Sequence, residues 1–232
     1  MRVLAFDTST TVTAVALLDG ERVLAEDERP NEERHGDVLL PRVRELLERT
    51  GVALARIELI AVGVGPGSFT GLRIGLATAK GLALATGLPV RGVCSLRALA
   101  AGAAEDPARG ARVGELCVAV LDAGKGEVFA GVFAVGEHGC EPRLAALRAL
   151  PEQAGEQLAV ACASAASVVV AGTGVRRYPQ LLAAHGARAR LASGEHDTPH
   201  GRCVARQALA LLREAGPSEL ARLEPSYLRD SL

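Results

Sequence analysis

Two aspartates stand at matching places in the sequence, each at the end of an apolar stretch that predicts a buried strand. Asp7 is followed by the hydroxyl side chains of Thr8 and Ser9, and Asp122 ends the corresponding stretch in the second half. Hydroxyls and backbone N–H groups in such a turn could bind the phosphates of a nucleotide. Turns of this composition also form with hydrogen bonds to their own backbone. Both interpretations stay open.

A second candidate for nucleotide contact is the short loop formed by Gly172, Thr173 and Gly174, which follows another apolar strand. Glycines allow a bound group to approach the backbone closely. A turn from strand to helix also uses glycine for its own geometry. Together with the two aspartates, this loop indicates at most a vestigial nucleotide site.

The spacing of the histidines indicates whether the chain could bind a metal ion. His35 is followed four residues later by Leu39, so a helix would present one imidazole and no second ligand. His196 and His200 are four residues apart, but Pro199 between them disfavours a helix. A solvated loop is the simpler interpretation, and a metallopeptidase is the alternative. The sequence has no H-E-x-x-H and no G-x-S-x-G motif, and we expect no bound metal.

The stretch Gly65–Gly75, GPGSFTGLRIG, lacks the spacing and the lysine of a phosphate-binding P-loop. Ser68 or Thr70 can cap the helix that follows. That helix has few charges and repeats small residues at Gly71, Gly75 and Ala79. A helix that is apolar on nearly every side must bury more than one face. We therefore predict that this ridge of small residues faces a partner subunit, with packing on the protein's own sheet as the alternative.

Composition excludes several classes of protein. The chain has 232 residues, 23% charged and 49% hydrophobic, which is typical of globular proteins and not of disordered ones. Its net charge of −1 and its 3% aromatic content do not favour nucleic-acid binding by the chain alone. The five cysteines include no C-x-x-C pair, and no apolar run reaches the roughly 18 residues of a membrane helix. We expect a cytoplasmic protein without a signal peptide.

Alternation and helical periodicity predict the same order of elements twice. The first half has predicted strands at 2–7, 11–18, 21–28, 59–64 and 90–94, and helices at about 39–47 and 68–86. The second half has predicted strands at 116–121, 128–135, 143–147 and 167–171, and helices at 151–163, 178–184 and 203–215. Two β-β-β-α-β-α lobes result.

The Gly/Ala/Pro-rich segment 102–112 predicts the boundary between the lobes. The N-terminal lobe is expected at 1–101, joined by a C-terminal helix at 203–232, and the C-terminal lobe at 102–202. Two such lobes resemble the α/β actin-like ATPase fold (the ASKHA, RNase H-like class) of sugar kinases, Hsp70 and actin. The turn after Asp7 lacks the glycine that the kinases have there.

GPGSFTGLRIG with the helix that follows it resembles the signature of the TsaB family, formerly called YeaZ. The opening VLAFDTST, the segment His35–Pro41 and the closing Pro225–Arg229 agree with it. The resemblance covers about residues 1–101 and the C-terminus, and in 102–200 it supports only the fold.

This resemblance implies a non-catalytic subunit in the synthesis of threonylcarbamoyladenosine beside the tRNA anticodon. Its partners would be a TsaD-like catalytic subunit and a TsaE-like ATPase, with a homodimer when alone and tRNA contact only through the complex. The helices of the first lobe would form the contact. The implied interface residues are Leu39, Val43, Leu46, Leu47, Phe69, Gly71, Leu72, Gly75, Leu76, Ala79 and Ala83.

Two enzymatic alternatives remain beside this interpretation. One is an ATP-dependent phosphotransferase with Asp7 and Asp122 at its cleft. The other is the metallopeptidase that would use His196 and His200.

Overall fold

The computed structural model describes residues 1–30 and 35–228. Within this part, the chain divides into two compact units. The first comprises Met1–Ser95 and Pro199–Ser226, and the second comprises Leu96–Thr198 with the two residues 227–228. Residues 229–232 of the expected C-terminal helix, and Arg229 of the closing motif, lie outside the described residues.

Ten strands and seven α-helices account for the regular structure of the described chain. The strands are β1 Arg2–Asp7, β2 Ala14–Asp19, β3 Arg22–Asp27, β4 Leu59–Gly65, β5 Val90–Cys94, β6 Leu116–Gly124, β7 Glu127–Gly136, β8 Gly139–Ala149, β9 Val168–Ala171 and β10 Ala189–Leu191. The helices are α1 His35–Thr50, α2 Phe69–Thr86, α3 Ser95–Ala104, α4 Pro151–Ala161, α5 Thr173–Arg177, α6 Gln180–Ala183 and α7 Gly201–Ala215.

Both units have a five-stranded sheet with the same topology. The order is β3-β2-β1-β4-β5 in the first and β8-β7-β6-β9-β10 in the second. In each sheet three antiparallel strands are followed by two that run parallel to the first. The repeat that the sequence pattern predicted is therefore present, and β10, the last strand of the second sheet, was not predicted.

Helices cover both faces of the first sheet. Leu4 and Phe6 of β1 belong to a core that includes residues of α1 and α2. The alternate residues Val3 and Ala5 are equally buried, and α7 packs against β1 and β2. Because side chains alternate along a strand, α7 lies on the opposite face from α1 and α2.

Local chemistry sets the ends of α2. The Ser68 side chain accepts the N–H of Gly71, which makes Ser68 the N-cap. Gly87 ends the helix in the left-handed conformation, with φ of 75°. The predicted helix 68–86 is thus present with its expected cap.

Several predicted boundaries differ from the structure. Residues 95–104 form α3, so the two units meet at Ser95 and Leu96, and the segment 102–112 begins inside a helix rather than as a linker. The predicted helix 178–184 is shortened to α6, and the short helix α5 before it was not predicted. Pro179, which lacks the N–H to continue a helix, separates the two. The predicted helix 203–232 ends at Ala215, where Gly216 takes a φ of 68°.

No helix of the described residues combines the length and the apolar character needed to span a membrane.

Candidate functional site

Asp7 is a buried carboxylate that binds donors from its own unit. It is 1% exposed. The backbone N–H and the hydroxyl of Ser9 both donate to its Oδ1, at 2.7 and 2.5 Å, and the hydroxyl of Ser95 donates to its Oδ2 at 2.7 Å. A Cβ at Gly63 would lie 1.9 Å from Oδ2, so glycine is required beside the acid. The Asp7 turn is therefore a self-hydrogen-bonded structure and does not present free hydroxyls for an anion.

The position of Thr8 explains the glycines of α2. The Thr8 hydroxyl donates to the carbonyl of Gly71 at 2.7 Å. A Cβ at Gly71 would lie 2.0 Å from the Thr8 carbonyl oxygen, and one at Gly75 would lie 2.4 Å from the Thr8 hydroxyl. The two glycines thus admit the Thr8 turn of the same chain. The prediction that Gly71, Gly75 and Ala79 face a partner is wrong, because this ridge is buried within its own unit.

Most of the interface residues that the resemblance implied belong to the core of the first unit. This burial argues against the expected contact, because side chains on the inner side of α1 and α2 cannot reach a second molecule. Leu47 is half-buried, and Phe69 is 53% exposed. The residues that are buried are Leu39, Val43, Leu46, Gly71, Leu72, Gly75, Leu76, Ala79 and Ala83.

The solvent side of the same two helices carries a different apolar set. Leu40 is 51% exposed and Leu84 is 78% exposed, large values for leucine. Ala77 and Gly81 are exposed on α2, and a Cβ at Gly81 would contact nothing within 4 Å. Phe69, at the start of α2, lies under the guanidinium of Arg73, 3.8 Å from the ring centre. We call the set Leu40, Leu47, Phe69, Ala77, Gly81 and Leu84 the outer face.

A shallow apolar groove continues the outer face at the C-terminal end of α1. It is lined by Leu40, Leu47 and Leu82 of the two helices and by Val52 and Leu54, which follow α1 in the chain. The charged residues at its margin are Arg44 and Glu48, which are paired with each other at 2.7 Å. The groove therefore offers apolar surface with a neutralised rim.

In the second unit, Asp122 is held by its own turn and by an arginine. Its Oδ1 accepts the N–H of Gly124 at 3.0 Å, and its Oδ2 accepts the guanidinium of Arg177 at 2.7 Å. The backbone N–H of Asp122 donates to the hydroxyl of Thr173 at 3.2 Å. This contact joins β6 to the first residue of α5. Both carboxylate oxygens of Asp122 thus have donors from the chain itself.

The loop Gly172, Thr173 and Gly174 packs against the backbone of β6. A Cβ at Gly172 would lie 2.0 Å from the carbonyl oxygen of Val120, and one at Gly174 would lie 2.6 Å from the Val120 side chain. The glycines therefore serve close packing on a strand.

The N–H groups of this loop are already bound by Asp197. The N–H of Gly172 donates to the Asp197 carboxylate at 3.3 Å, and that of Thr173 donates to the Asp197 carbonyl at 3.2 Å. Arg176 donates to the same carboxylate at 2.8 Å. The chain thus supplies its own anion to this loop. Asp197 was not among the predicted site residues, and only its position beside His196 could have drawn attention to it.

The two histidines of the segment 195–200, His196 and His200, belong to the interior of the protein. Both are buried. The Nδ1 atom of His200 is paired with Glu28, and the other oxygen of Glu28 accepts the N–H of Gly201 at 3.1 Å, at the start of α7. Within residues 1–30 and 35–228, no group of three or more His, Cys, Asp or Glu side chains is arranged to hold a metal ion. The side chain of His35 lies outside the described part.

Comparison with known proteins identifies the family of the chain. The sequence profile of the family described as "TsaD: tRNA N6-adenosine threonylcarbamoyltransferase" matches residues 29–230. The tRNA threonylcarbamoyladenosine biosynthesis protein TsaB of Escherichia coli K12 is 35% identical over 236 residues, covering 100% of this chain and 96% of that protein.

Comparison with solved structures shows the same likeness in three dimensions. YeaZ from Pseudomonas aeruginosa superposes with a TM-score of 0.81 at 30% identity, covering 98% of this chain and 99% of that one. The ROK hexokinase of Thermus thermophilus has a TM-score of 0.51 at 18% identity, covering 92% and 100%, and shows the actin-like fold alone. Since a TsaB protein matches along the whole sequence and YeaZ along nearly the whole structure, this chain belongs to the TsaB family, also called YeaZ.

Proposed function

We propose that the chain is a non-catalytic subunit in the biosynthesis of threonylcarbamoyladenosine in tRNA. It pairs through its outer face with a TsaD-like catalytic subunit, which a TsaE-like ATPase joins, and it forms a homodimer when alone. It contacts tRNA only through that complex, in the cytoplasm and without a membrane. The names of its relatives support the pathway, and the exposed apolar side of α1 and α2 supports the pairing.

The outer face has the composition of a helix–helix contact. Ala77 and Gly81 follow Arg73 at intervals of four residues, so they line one side of α2. Small residues there let another helix approach, while Leu84 and Leu40 supply apolar area on either side. Burial of such area contributes about 25 cal/mol per Å². A single molecule leaves this area in water, and a partner would remove it.

The state of the two acidic turns supports a role without catalysis. Asp7 has donors from Ser9 and Ser95, and Asp122 has donors from Gly124 and Arg177. The backbone N–H of Gly172 donates to the Asp197 carboxylate. A phosphotransferase would need these groups free for phosphate and metal, so the geometry does not favour that alternative. For the same reason we propose that the chain binds no nucleotide as a cofactor.

The pairing is tested with a leucine at Gly81. The added side chain projects from the outer face into open space, so the isolated molecule should fold normally. Overpacking of a close helix contact costs about 1 to 3 kcal/mol, which corresponds to a roughly 5- to 150-fold loss of affinity. Sedimentation velocity measures the homodimer, and co-purification with a TsaD-like subunit measures the heterodimer.

The matched control is Gln157→Leu, which places one extra leucine on an exposed position of α4 in the second unit. It should leave both associations unchanged. Normal association of the Gly81→Leu protein, at a normal melting temperature, would contradict the proposed interface.

A further inference from the structure

His185 is a buried histidine whose ring has no hydrogen-bond partner among the described residues. It follows α6, it is 3% exposed, and both Nδ1 and Nε2 are buried without a partner. A neutral imidazole carries one donor and one acceptor, and each buried group left unpaired costs about 1 to 3 kcal/mol. The turn that carries this ring is therefore held in place by other contacts, against the cost of burying it.

Arg188 supplies those contacts. Its Nε donates to the carbonyl of His185 at 3.2 Å. Its Nη1 donates to the carbonyls of Ala163 and Ala165, at 3.1 and 3.2 Å. Arg188 thus fastens the turn 184–188 to the chain that leaves the C-terminus of α4. Two hydrogen bonds from the guanidinium hold the two segments together, and the third lies within the turn.

Cys162 lies beside the segment that Arg188 fastens: it precedes Ala163, and its carbonyl accepts the N–H of Ala165 at 3.0 Å. It is 0% exposed, it is the C-cap residue of α4, and it belongs to the same core cluster as Leu181 of α6. Burial raises the pKa of the Cys162 thiol to about 11, and the nearby Arg188 guanidinium acts in the opposite direction. The same guanidinium therefore acts on both the imidazole and the thiol.

A proton on the His185 ring is unfavourable while the turn is closed. Burial lowers the pKa of His185 first, and the positive charge of Arg188 lowers it further. The elements packed against α6 are α4, α5 and β10. On these three elements, the acidic side chains of α4 are exposed to solvent, and the arginine side chains of α5 and β10 form ion pairs with carboxylates. These groups are Glu152 and Glu156, Arg176 with Asp197, Arg177 with Asp122, and Arg190 with Glu115; Tyr178 lies between α5 and α6.

We propose that protonation of His185 opens the turn 184–188 and uncovers the Cys162 thiol, which makes this corner of the second unit an acid-sensitive latch. A proton from solvent binds a ring nitrogen, and the resulting imidazolium is repelled by Arg188 and stabilised by water once the turn has opened. The Arg188 hydrogen bonds to Ala163 and Ala165 break in the same step. The device is independent of the outer face, because it lies wholly within the second unit.

Thiol labelling with 4,4′-dithiodipyridine, which reacts in acid, measures the opening when mass spectrometry identifies each modified cysteine. With an open-state imidazole pKa near 6.5, the accessible fraction should rise about tenfold between about pH 7.5 and about pH 5.5 where the closed-state ring stays neutral throughout, and by less where that ring begins to titrate. The rate for Cys162, divided by that of glutathione under the same conditions, should follow that rise. In the His185→Phe protein the ratio should not change with pH.

Cys117 provides the internal control for global unfolding. It lies on the central strand β6, fully buried, and should stay unreacted at both pH values. Equal acceleration at Cys117, no acceleration at Cys162, or the same acceleration in the His185→Phe protein would each overturn the proposal. Should His185→Phe fail to fold, His185→Gln provides a second variant whose side chain does not titrate for the same comparison.

Discussion

The Ser95 hydroxyl donates a hydrogen bond to Asp7 across 88 positions of sequence, at 2.7 Å. It also accepts the backbone N–H of Gly65 at 3.1 Å, so one hydroxyl joins the ends of β1 and β4 to the first residue of α3. Asp7 is the last residue of β1. Its carboxylate accepts three donors of the first unit, two from Ser9 and one from Ser95.

Replacing Asp7 by Ala should therefore lower stability rather than affect a reaction. The Ser9 N–H and the hydroxyls of Ser9 and Ser95 would lose their acceptor in a buried region, at about 1 to 3 kcal/mol for each group left unpaired. We expect the free energy of unfolding to fall by about 2 to 5 kcal/mol, measured by urea denaturation. Glu137→Ala, at an exposed turn, is the control and should change it by less than about 0.5 kcal/mol. An unaltered urea midpoint for the Asp7 variant would show that the carboxylate is not structural.

Two glycines of α2 should respond in opposite ways to the same change. Gly81→Ala adds a methyl group in open space and should raise stability by about 0.5 to 1 kcal/mol, since alanine favours helix more than glycine. Gly75→Ala places that group 2.4 Å from the Thr8 hydroxyl and should lower stability by about 1 to 3 kcal/mol. Thermal unfolding of both proteins compares them directly. A stabilised Gly75→Ala protein would mean that the Thr8 turn does not press on α2.

Asp106 should make the second unit sensitive to strong acid. The N–H of Ser193 donates to its carboxylate at 2.8 Å, and those of Ala108 and Arg109 donate at 2.9 and 3.0 Å. These hydrogen bonds, with that of Ser193 the largest, lower the pKa of Asp106 to about 2. The folded pKa lies below the unfolded one, near 3.9. The stabilisation is therefore present above about pH 4 and is lost as the pH falls toward 2.

Asp106→Asn should reduce the dependence of stability on pH between about 4 and 2, because the neutral amide does not titrate. At neutral pH the variant should be less stable by about 1 to 3 kcal/mol. Urea denaturation across this pH range measures both effects. Parallel curves for the two proteins would assign the acid sensitivity to other groups.

ATP should leave the melting temperature of the isolated chain unchanged. A ligand at 100 times its dissociation constant stabilises the folded state by about 2.7 kcal/mol, which scanning calorimetry detects readily. Because Arg177 occupies the Asp122 carboxylate and Asp197 occupies the Gly172 loop, we expect no such gain. A rise of several degrees that the Asp122→Ala substitution abolishes would show that the chain does bind a nucleotide at this site.

The succession of strands along the chain, apart from β10, and the repeated unit could be predicted from the sequence, because strand alternation, hairpin turns and helix caps are local signals. The helix α3 could not, since its alanines and glycines resemble linker composition. The direction that Gly75 faces was also beyond sequence reasoning. A glycine four residues from another allows close approach to either a partner or the chain's own turn, and only the position of Thr8 distinguishes the two.

The acid sites illustrate the same limit. The position of Asp7 at the end of β1 was predicted correctly from the pattern, whereas β6 continues past Asp122 to Gly124. One donor to each carboxylate comes from a distant residue, Ser95 or Arg177, which no local spacing identifies. The sequence therefore indicated where the acidic turns lie, and the structure was needed to find that they are filled.

The first unit is built from two stretches separated by about a hundred residues, and this has a consequence during synthesis. The strands β1 and β2 leave the ribosome first, yet the helix that covers one face of their sheet, α7, is made only after residue 200. The stretch Leu96–Thr198 is continuous and emerges before α7 does. Because domains fold as units once their residues are available, we expect the second unit to fold first, while the earliest strands wait with one apolar face uncovered. The N-terminal strands are thus the part of the nascent chain most exposed to aggregation or to chaperone binding.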